Sequence, residues 1–577
     1  MFKKTTIAAA ITISTSVLLV ACGGSNGDNN GAVVGGTTTG TLQGTPTTTA
    51  TVSAAQLATP AGTPPCGVTV SHIVYSTTGA AGESTMASGA LMVPTGCTGT
   101  ANTSSHPIVV YAHGTTNTQN FNMADFGDQT NDAYRSAGDG YLAASFAANG
   151  YIVIAPNYVG YDLPAGTSGM TTLPYHPYVN YKQQSQEMID ALKAGRSALP
   201  TGVDSGKLFV TGYSEGGYVA MAALKGMDAA GIKVTAGAPM SGPYSLALYG
   251  DAIFSGSVAA GATEFAPLLT YGYQRAYGNS IYGTASSDTT ATPSDVYTAP
   301  YGAEYTANID TPFNLFSSTA TSSFTPLPEL ALFQSVASNG VQVDPITQQP
   351  LSSNPFSFGF APTNYLISTT YRGAYLADAQ ANPDGGIATP TTNPLPAANP
   401  QNPLRQAFKL NDLRGYIPSM PVLMCGGHSD PTVFYTPNTQ VMAGIMANVA
   451  KSGAPVSVAE IDVDTQTTPS STFQPIIPPI GLNTSAVTSI SAAAQATFTA
   501  EYQALLSSST VLAAEQSAAA AAGQAAAAAP GATPASIAAA ETAAGTAVAQ
   551  EAVLSQYHAT LVAEACSGAA LAFFQQY

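Results

Sequence analysis

Residues 209–217 read FVTGYSEGG. A short apolar run ends in Gly212-Tyr213-Ser214-Glu215-Gly216, and Ala-rich helix-forming sequence follows. A serine held between glycines at a strand-to-helix junction is the arrangement of a nucleophile elbow, where small neighbours let the turn close and the helix pack tightly. Gly217 adds further room. Ser214 is therefore the candidate nucleophile for acyl transfer. Such a reaction needs backbone N–H groups aimed at the developing oxyanion. Glu215 supplies one, directly after the serine. Thr115, in His113-Gly114-Thr115-Thr116 after the run IVVYA, is expected to supply the other.

The acid and the base come from the far end of the chain. Asp430 follows the apolar run PVLMC in CGGHSDP, where a buried carboxylate would orient and stabilise an imidazole. Six histidines are present, at 72, 106, 113, 176, 428 and 558. The order Ser, Asp, His leaves only His558 after Asp430. His428 sits two residues from Asp430 on one loop and is poorly placed to approach it from the other side. Asp462 and Asp464 are weaker rivals for the acid, and Asp412 precedes its strand. Asp125, Asp128, Asp132 and Asp139 lack the spacing of an EF-hand and read as a solvated loop, so no metal and no cofactor is expected.

These residues need a scaffold. Apolar runs at 108–112, 151–155, 207–211, 234–238, 421–425 and 456–463 alternate with helical segments at 139–149, 180–199 and 215–226. That alternation predicts a mostly parallel sheet with helices on both faces, and reactive groups gather at the carboxyl ends of such strands. VTVSHIVYST and MASGALMVP, joined by GAAGES, read as an edge hairpin. Residues 61–245, 416–464 and 556–577 make up the core. Residues 246–415, rich in Tyr, Phe and Pro, read as a cap in which APLLTYGYQRAYG and LPELALFQSVASNG are expected to be helices. Residues 465–555 begin Pro-rich and turn Ala-rich, which predicts a helical hairpin broken at PGATP, with Thr533 as N-cap and Pro534 at the first helical position.

The chain has 577 residues, 45% hydrophobic and only 8% charged, with a net charge of −17 and 15 Lys+Arg. That balance excludes a phosphate-tracking nucleic-acid binder. Lys3 and Lys4 precede a short apolar segment ending at Cys22, the pattern of a signal peptide over 1–21. Residues 22–60, rich in Gly and Thr, read as a flexible tether. Four further cysteines, Cys66, Cys97, Cys425 and Cys566, allow three pairings in an exported protein. Cys66–Cys97 bracket the edge hairpin, so that pairing is preferred, which leaves Cys425–Cys566.

Leu19-Val20-Ala21-Cys22 resembles the lipobox of bacterial lipoproteins. The resemblance implies a lipid on Cys22, a membrane anchor, and, with Gly23 next, the outer membrane. YAHGTT, APNYVGYD, TGYSEGGYVAMAA, GAPMSGPY, DLRGYIPSMPVLMCGGHSDPTV and the YH…C…AAL tail together resemble the α/β-hydrolase superfamily, in particular secreted lipases and esterases with an inserted cap. The resemblance implies an α/β-hydrolase fold, a mostly parallel sheet flanked by helices, interrupted by the cap and the Ala-rich insertion. It also implies hydrolysis of small-molecule carboxylic esters through Ser214, His558 and Asp430. A peptidase on the same fold is the alternative, and a non-catalytic binding lipoprotein a third reading.

Overall fold

A computed structural model describes residues 39–577 apart from 59–61, 136–137, 164–171, 308–312, 314–326, 328–329, 386–395, 452, 454 and 469–483. The signal segment and Cys22 lie outside the described residues. The core is a nine-stranded sheet. Its strands are β1 (Thr47–Val52), β2 (Gly67–Thr78), β3 (Ser84–Thr95), β4 (His106–Ala112), β5 (Ile152–Pro156), β6 (Asp204–Tyr213), β7 (Ala236–Met240), β8 (Val422–Gly426) and β9 (Val458–Asp462), in the order β1-β2-β3-β5-β4-β6-β7-β8-β9. The pairs from β1 through β3 to β5 are antiparallel, and every pair from β5 to β9 is parallel. Parallel strands are buried on both faces, and Ile108, Val109, Val110, Tyr111 and Ala112 of β4 are accordingly fully buried.

Helix α1 (Asp139–Ala148) follows the loop after β4. Helices α2 (Tyr181–Ala198) and α3 (Glu215–Ala229) pack on each other, α2 against β2 and β5 and α3 against β6 and β7. Asn180 caps α2 by accepting from the Gln183 N–H. Segment 246–415 contributes α4 (Leu246–Phe254), α5 (Ala262–Tyr277), α6 (Thr369–Ala381) and α7 (Pro403–Asn411). Buried Arg405 joins three of these, bonding Asp251 of α4 and Asp378 of α6 from its place on α7, at 2.8 Å each. Beyond β8 come α8 (Val441–Lys451), α9 (Thr484–Leu506), α10 (Ser509–Ala527), α11 (Pro534–Gln556) and α12 (Ala563–Phe574).

Two expectations change. The tether read over 22–60 ends early, because Thr47–Val52 pairs with β2 from Thr47↔His72 to Val52↔Val68. Its β-branched threonines suit an edge strand, and Thr48 bonds across to Ser71. Residues 330–340 of LPELALFQSVASNG are not helical: Phe333–Gln334 pairs with Phe360–Ala361, and Val336–Ser338 forms a hairpin with Val341–Val343. Asn339 and Gly340, both at positive φ (50° and 80°), make its turn, as an Asn-Gly pair favours. The expected Ala-rich hairpin is present as α10 and α11, broken at PGATP, with Thr533 capping α11 and Pro534 at its start; among the described residues α9 is a further helix ahead of it.

Both expected cysteine pairings are present. Cys66–Cys97 closes the open end of the β2–β3 hairpin, and Cys425–Cys566 joins β8 to α12.

Candidate active site

Ser214 stands between β6 and α3 with φ 59° and ψ −123°, a sparsely populated backbone conformation for a residue with a side chain. The surrounding backbones hold it there. A Cβ on Gly212 would meet the Gly216 carbonyl oxygen at 2.4 Å, and one on Gly216 would meet the Ala112 carbonyl oxygen at 2.0 Å. Only glycine lets α3 close on β4 and β6 this tightly. The Ser214 N–H donates to the Met240 carbonyl at 3.1 Å, which ties the turn to the neighbouring strand.

The three sequence-nominated side chains meet. Ser214 Oγ lies 2.8 Å from His558 Nε2, and His558 Nδ1 lies 2.6 Å from Asp430 Oδ2. The Asp430 side chain is fully buried. Its Oδ1 accepts from the N–H groups of Thr432 and Val433 at 2.9 and 3.0 Å, and its Oδ2 accepts from Ser241 Oγ at 3.0 Å. His558 sits on a π-helical turn, Tyr557–Val562, between α11 and α12. Such turns displace one residue from helical register and recur at functional sites. The Tyr213 hydroxyl donates to the His558 carbonyl at 2.5 Å, so the residue before the serine also fixes the backbone of the imidazole.

Glu215 directly follows the serine, and the loop that carries Thr115 passes close to it at Gly114, where a Cβ would stand 3.6 Å from the Ser214 Cβ. Glu215 is the first residue of α3, where helix N–H groups have no partner inside the helix. The His113–Thr116 loop is bonded at each residue. Asp139 Oδ2 accepts from the Gly114 N–H at 3.1 Å, and Tyr178 bonds Thr115 Oγ1 at 2.8 Å. The hydroxyls of Tyr158 and Tyr161 donate to the carbonyls of His113 and Thr116 at 3.0 and 2.7 Å. Asp139 thus leaves the solvated loop it was assigned to: burial raises its carboxyl pKa, and it braces this loop together with the Tyr111 hydroxyl.

The remaining histidines are engaged elsewhere. His428 bonds Asp462 at 2.6 Å, which removes both from contention for the base and the acid, and Asp464 is bonded by Tyr557 at 2.7 Å. Burial lowers the His113 pKa, and its ring stacks on Tyr158. His72 bonds Asp162, and His106 lies against the Gly150 carbonyl. Sequence reasoning missed Ser241, Tyr213, Tyr178 and His176. Ser241 and Tyr213 lie within quoted motifs, but their side-chain partners are 189 and 345 residues away.

A cleft with about 860 Å³ of open space lies over Ser214 and Glu215. Segment 246–415 lines it with Leu246, Ile253, Phe254, Phe265, Leu269 and Phe408. Among the described residues no group of three His, Cys, Asp or Glu side chains is arranged to hold a metal.

No protein-family model matches the chain, and no curated protein matches it. Solved structures do. Two structures of the rice cell wall degrading esterase LipA from Xanthomonas oryzae align at TM-score 0.50, with 23% and 22% identity, over 74% of this chain and 92% of that one. Candida antarctica lipase A in its closed state aligns at TM-score 0.39 and 14% identity over 68% of this chain and 72% of that one. The fold is the α/β-hydrolase fold, shared with the LipA structures: a mostly parallel sheet flanked by helices.

Proposed function

We propose that the protein hydrolyses carboxylic esters through an acyl-enzyme on Ser214. The observation that carries this reading is the unbroken hydrogen-bond chain from Ser214 through His558 to buried Asp430, at the floor of an apolar cleft. With Nδ1–H donated to Asp430, His558 Nε2 is free to accept the serine proton as Oγ attacks the ester carbonyl. The backbone N–H groups of Glu215 and Thr115 hold the oxyanion. The tetrahedral adduct collapses, His558 returns the proton to the leaving alcohol, and water clears the acyl group by the same route. The apolar lining from segment 246–415 suits an acyl or aromatic group.

Two disulfides fit maturation in an oxidising compartment outside the cytosol. The N-terminal segment extends this to an exported lipoprotein anchored at Cys22, tested by metabolic labelling with palmitate and its loss in Cys22→Ala.

Hydrolysis of p-nitrophenyl esters from acetate to palmitate, with Ser214→Ala alongside, tests the activity. Serine-dependent turnover is expected. Full turnover by Ser214→Ala would sink the reading, and turnover of peptides but not esters would move it to the peptidase alternative.

A further inference from the structure

The two backbone donors assigned to the oxyanion come from separate parts of the chain, a hundred positions apart in sequence. One buried side chain touches the supports of both. His176 Nε2–H donates to Glu215 Oε1 at 2.6 Å, and both side chains are fully buried. Gln184 Nε2 donates to the same oxygen at 2.7 Å. The carboxylate of the residue after the nucleophile is therefore clamped from two sides, although it points away from any role in the proton relay.

On its other faces His176 contacts the tyrosines that grip the loop after β4. Its ring stacks on Tyr158 (centroids 5.3 Å apart, planes at 14°), whose hydroxyl holds the His113 carbonyl. It lies 4.9 Å from the ring of Tyr161, whose hydroxyl holds the Thr116 carbonyl. It lies edge-on to Tyr178, 5.9 Å away, whose hydroxyl bonds Thr115. Tyr158 continues the column to His113, stacked at 4.0 Å. Tyr158 also has φ 67°, a strained backbone that the surroundings must impose. His176 Nδ1 is anchored 3.1 Å from the Val159 carbonyl.

We infer that His176 is a positioning residue that sets the spacing between the two oxyanion donors, through the Glu215 carboxylate on one side and Tyr158, Tyr161 and Tyr178 on the other. The inference rests on the proposed ester hydrolysis and adds to it a residue that touches neither substrate nor the proton relay. Its physical basis is that oxyanion stabilisation depends on donors fixed before the charge develops. A misplaced donor weakens binding of the tetrahedral adduct while leaving ground-state binding in the apolar cleft nearly as it was.

The test compares His176→Phe with His176→Gln in the full mature chain. Phenylalanine keeps a ring in the column and removes the hydrogen bond to Glu215, whereas the glutamine amide can still donate to it. The readouts are kcat and KM on a p-nitrophenyl ester, the Ki of a trifluoromethyl ketone that mimics the tetrahedral adduct, and Tm. In His176→Phe, kcat is expected to fall about tenfold with KM within about twofold, and the ketone Ki to rise by the same factor as kcat falls. His176→Gln is expected to recover most of both. Unchanged kcat and Ki in His176→Phe, or equal impairment of the two variants, would overturn the inference. If His176→Phe does not fold, Tyr161→Phe removes a single hydroxyl that grips the loop after β4 at Thr116: a parallel loss in kcat and ketone affinity supports the inference, and no change overturns it. Ser214→Ala separates the two levels. Serine-independent turnover would defeat the hydrolase reading itself, while a normal His176→Phe in a serine-dependent enzyme defeats only the positioning role.

Discussion

Asp430 and His558 meet at 2.6 Å across 128 residues of chain. The acid is held by three further hydrogen bonds, from Ser241 Oγ and two backbone N–H groups, and by complete burial. Such a carboxylate fixes the imidazole tautomer and stabilises its charged form. Asp430→Asn is expected to leave the fold intact and lower kcat by about 10⁴ on a p-nitrophenyl ester, because an amide no longer favours the Nδ1–H tautomer. Fluorophosphonate labelling of Ser214 should slow in parallel. Retention of more than a tenth of wild-type kcat would count against Asp430 as the acid.

The Cys425–Cys566 bridge closes a loop of sequence separation 141 around that pair. Replacing both cysteines by alanine is expected to lower stability by between roughly 2 and 5 kcal/mol, from the entropy released to the unfolded chain. Both cysteines are fully buried, so the native bridge should resist mild reductant. Urea unfolding of the double variant, with and without dithiothreitol, measures this. Equal midpoints for wild type and variant under oxidising conditions would refute it.

Gly216→Ala should be far more damaging than its one added methyl suggests. The new Cβ would stand 2.0 Å from the Ala112 carbonyl oxygen, which is locked in the central strand. We expect a loss of more than about 2 kcal/mol and of activity, since α3 must back away from the elbow. Circular dichroism with urea titration reads the first and ester turnover the second. Wild-type values for both would show that the elbow is looser than its geometry.

Glu187 on α2 carries a pH prediction. Burial pushes its carboxyl pKa from 4.5 up to about 7, against partial opposition from Gln183, the Val159 N–H and Tyr75. The folded state thus binds the proton more tightly than the unfolded state. This contribution is fully present below about pH 4.5 and is lost as pH rises through about 7, on the order of 3 kcal/mol in all. Glu187→Gln, which stays neutral, should flatten the fall in Tm over that range and exceed wild type above it. Parallel Tm–pH curves would show that Glu187 titrates normally in the folded protein.

The sheet was legible because its buried strands are continuous apolar runs, with IVVYA and PVLMC bounded by turn residues. Ser214, Asp430 and His558 were legible because each follows such a run or survives elimination by order. β1 was hidden because TTTATV sits within Gly/Thr-rich sequence and becomes a strand only by pairing with β2. The hairpin at Asn339-Gly340 carried a readable turn signal that helical periodicity overshadowed. The contact of His176 with Glu215 had no local sign. It depends on a loop after β5 folding over the start of α3, which periodicity does not encode.

Helix α11 buries none of its side chains, and α10 buries only Val511 and Gly523. Helix α9, in contrast, packs inward through Val487, Ile490, Ala494 and Phe498, and Phe498 meets Tyr557 beside the imidazole. Position 558 is thereby fastened by α9, by α12 and by a covalent staple, in addition to the helical pair just before it. Shortening the exposed tip where α10 meets α11 is therefore expected to leave ester turnover near wild type, which assay of such a variant checks.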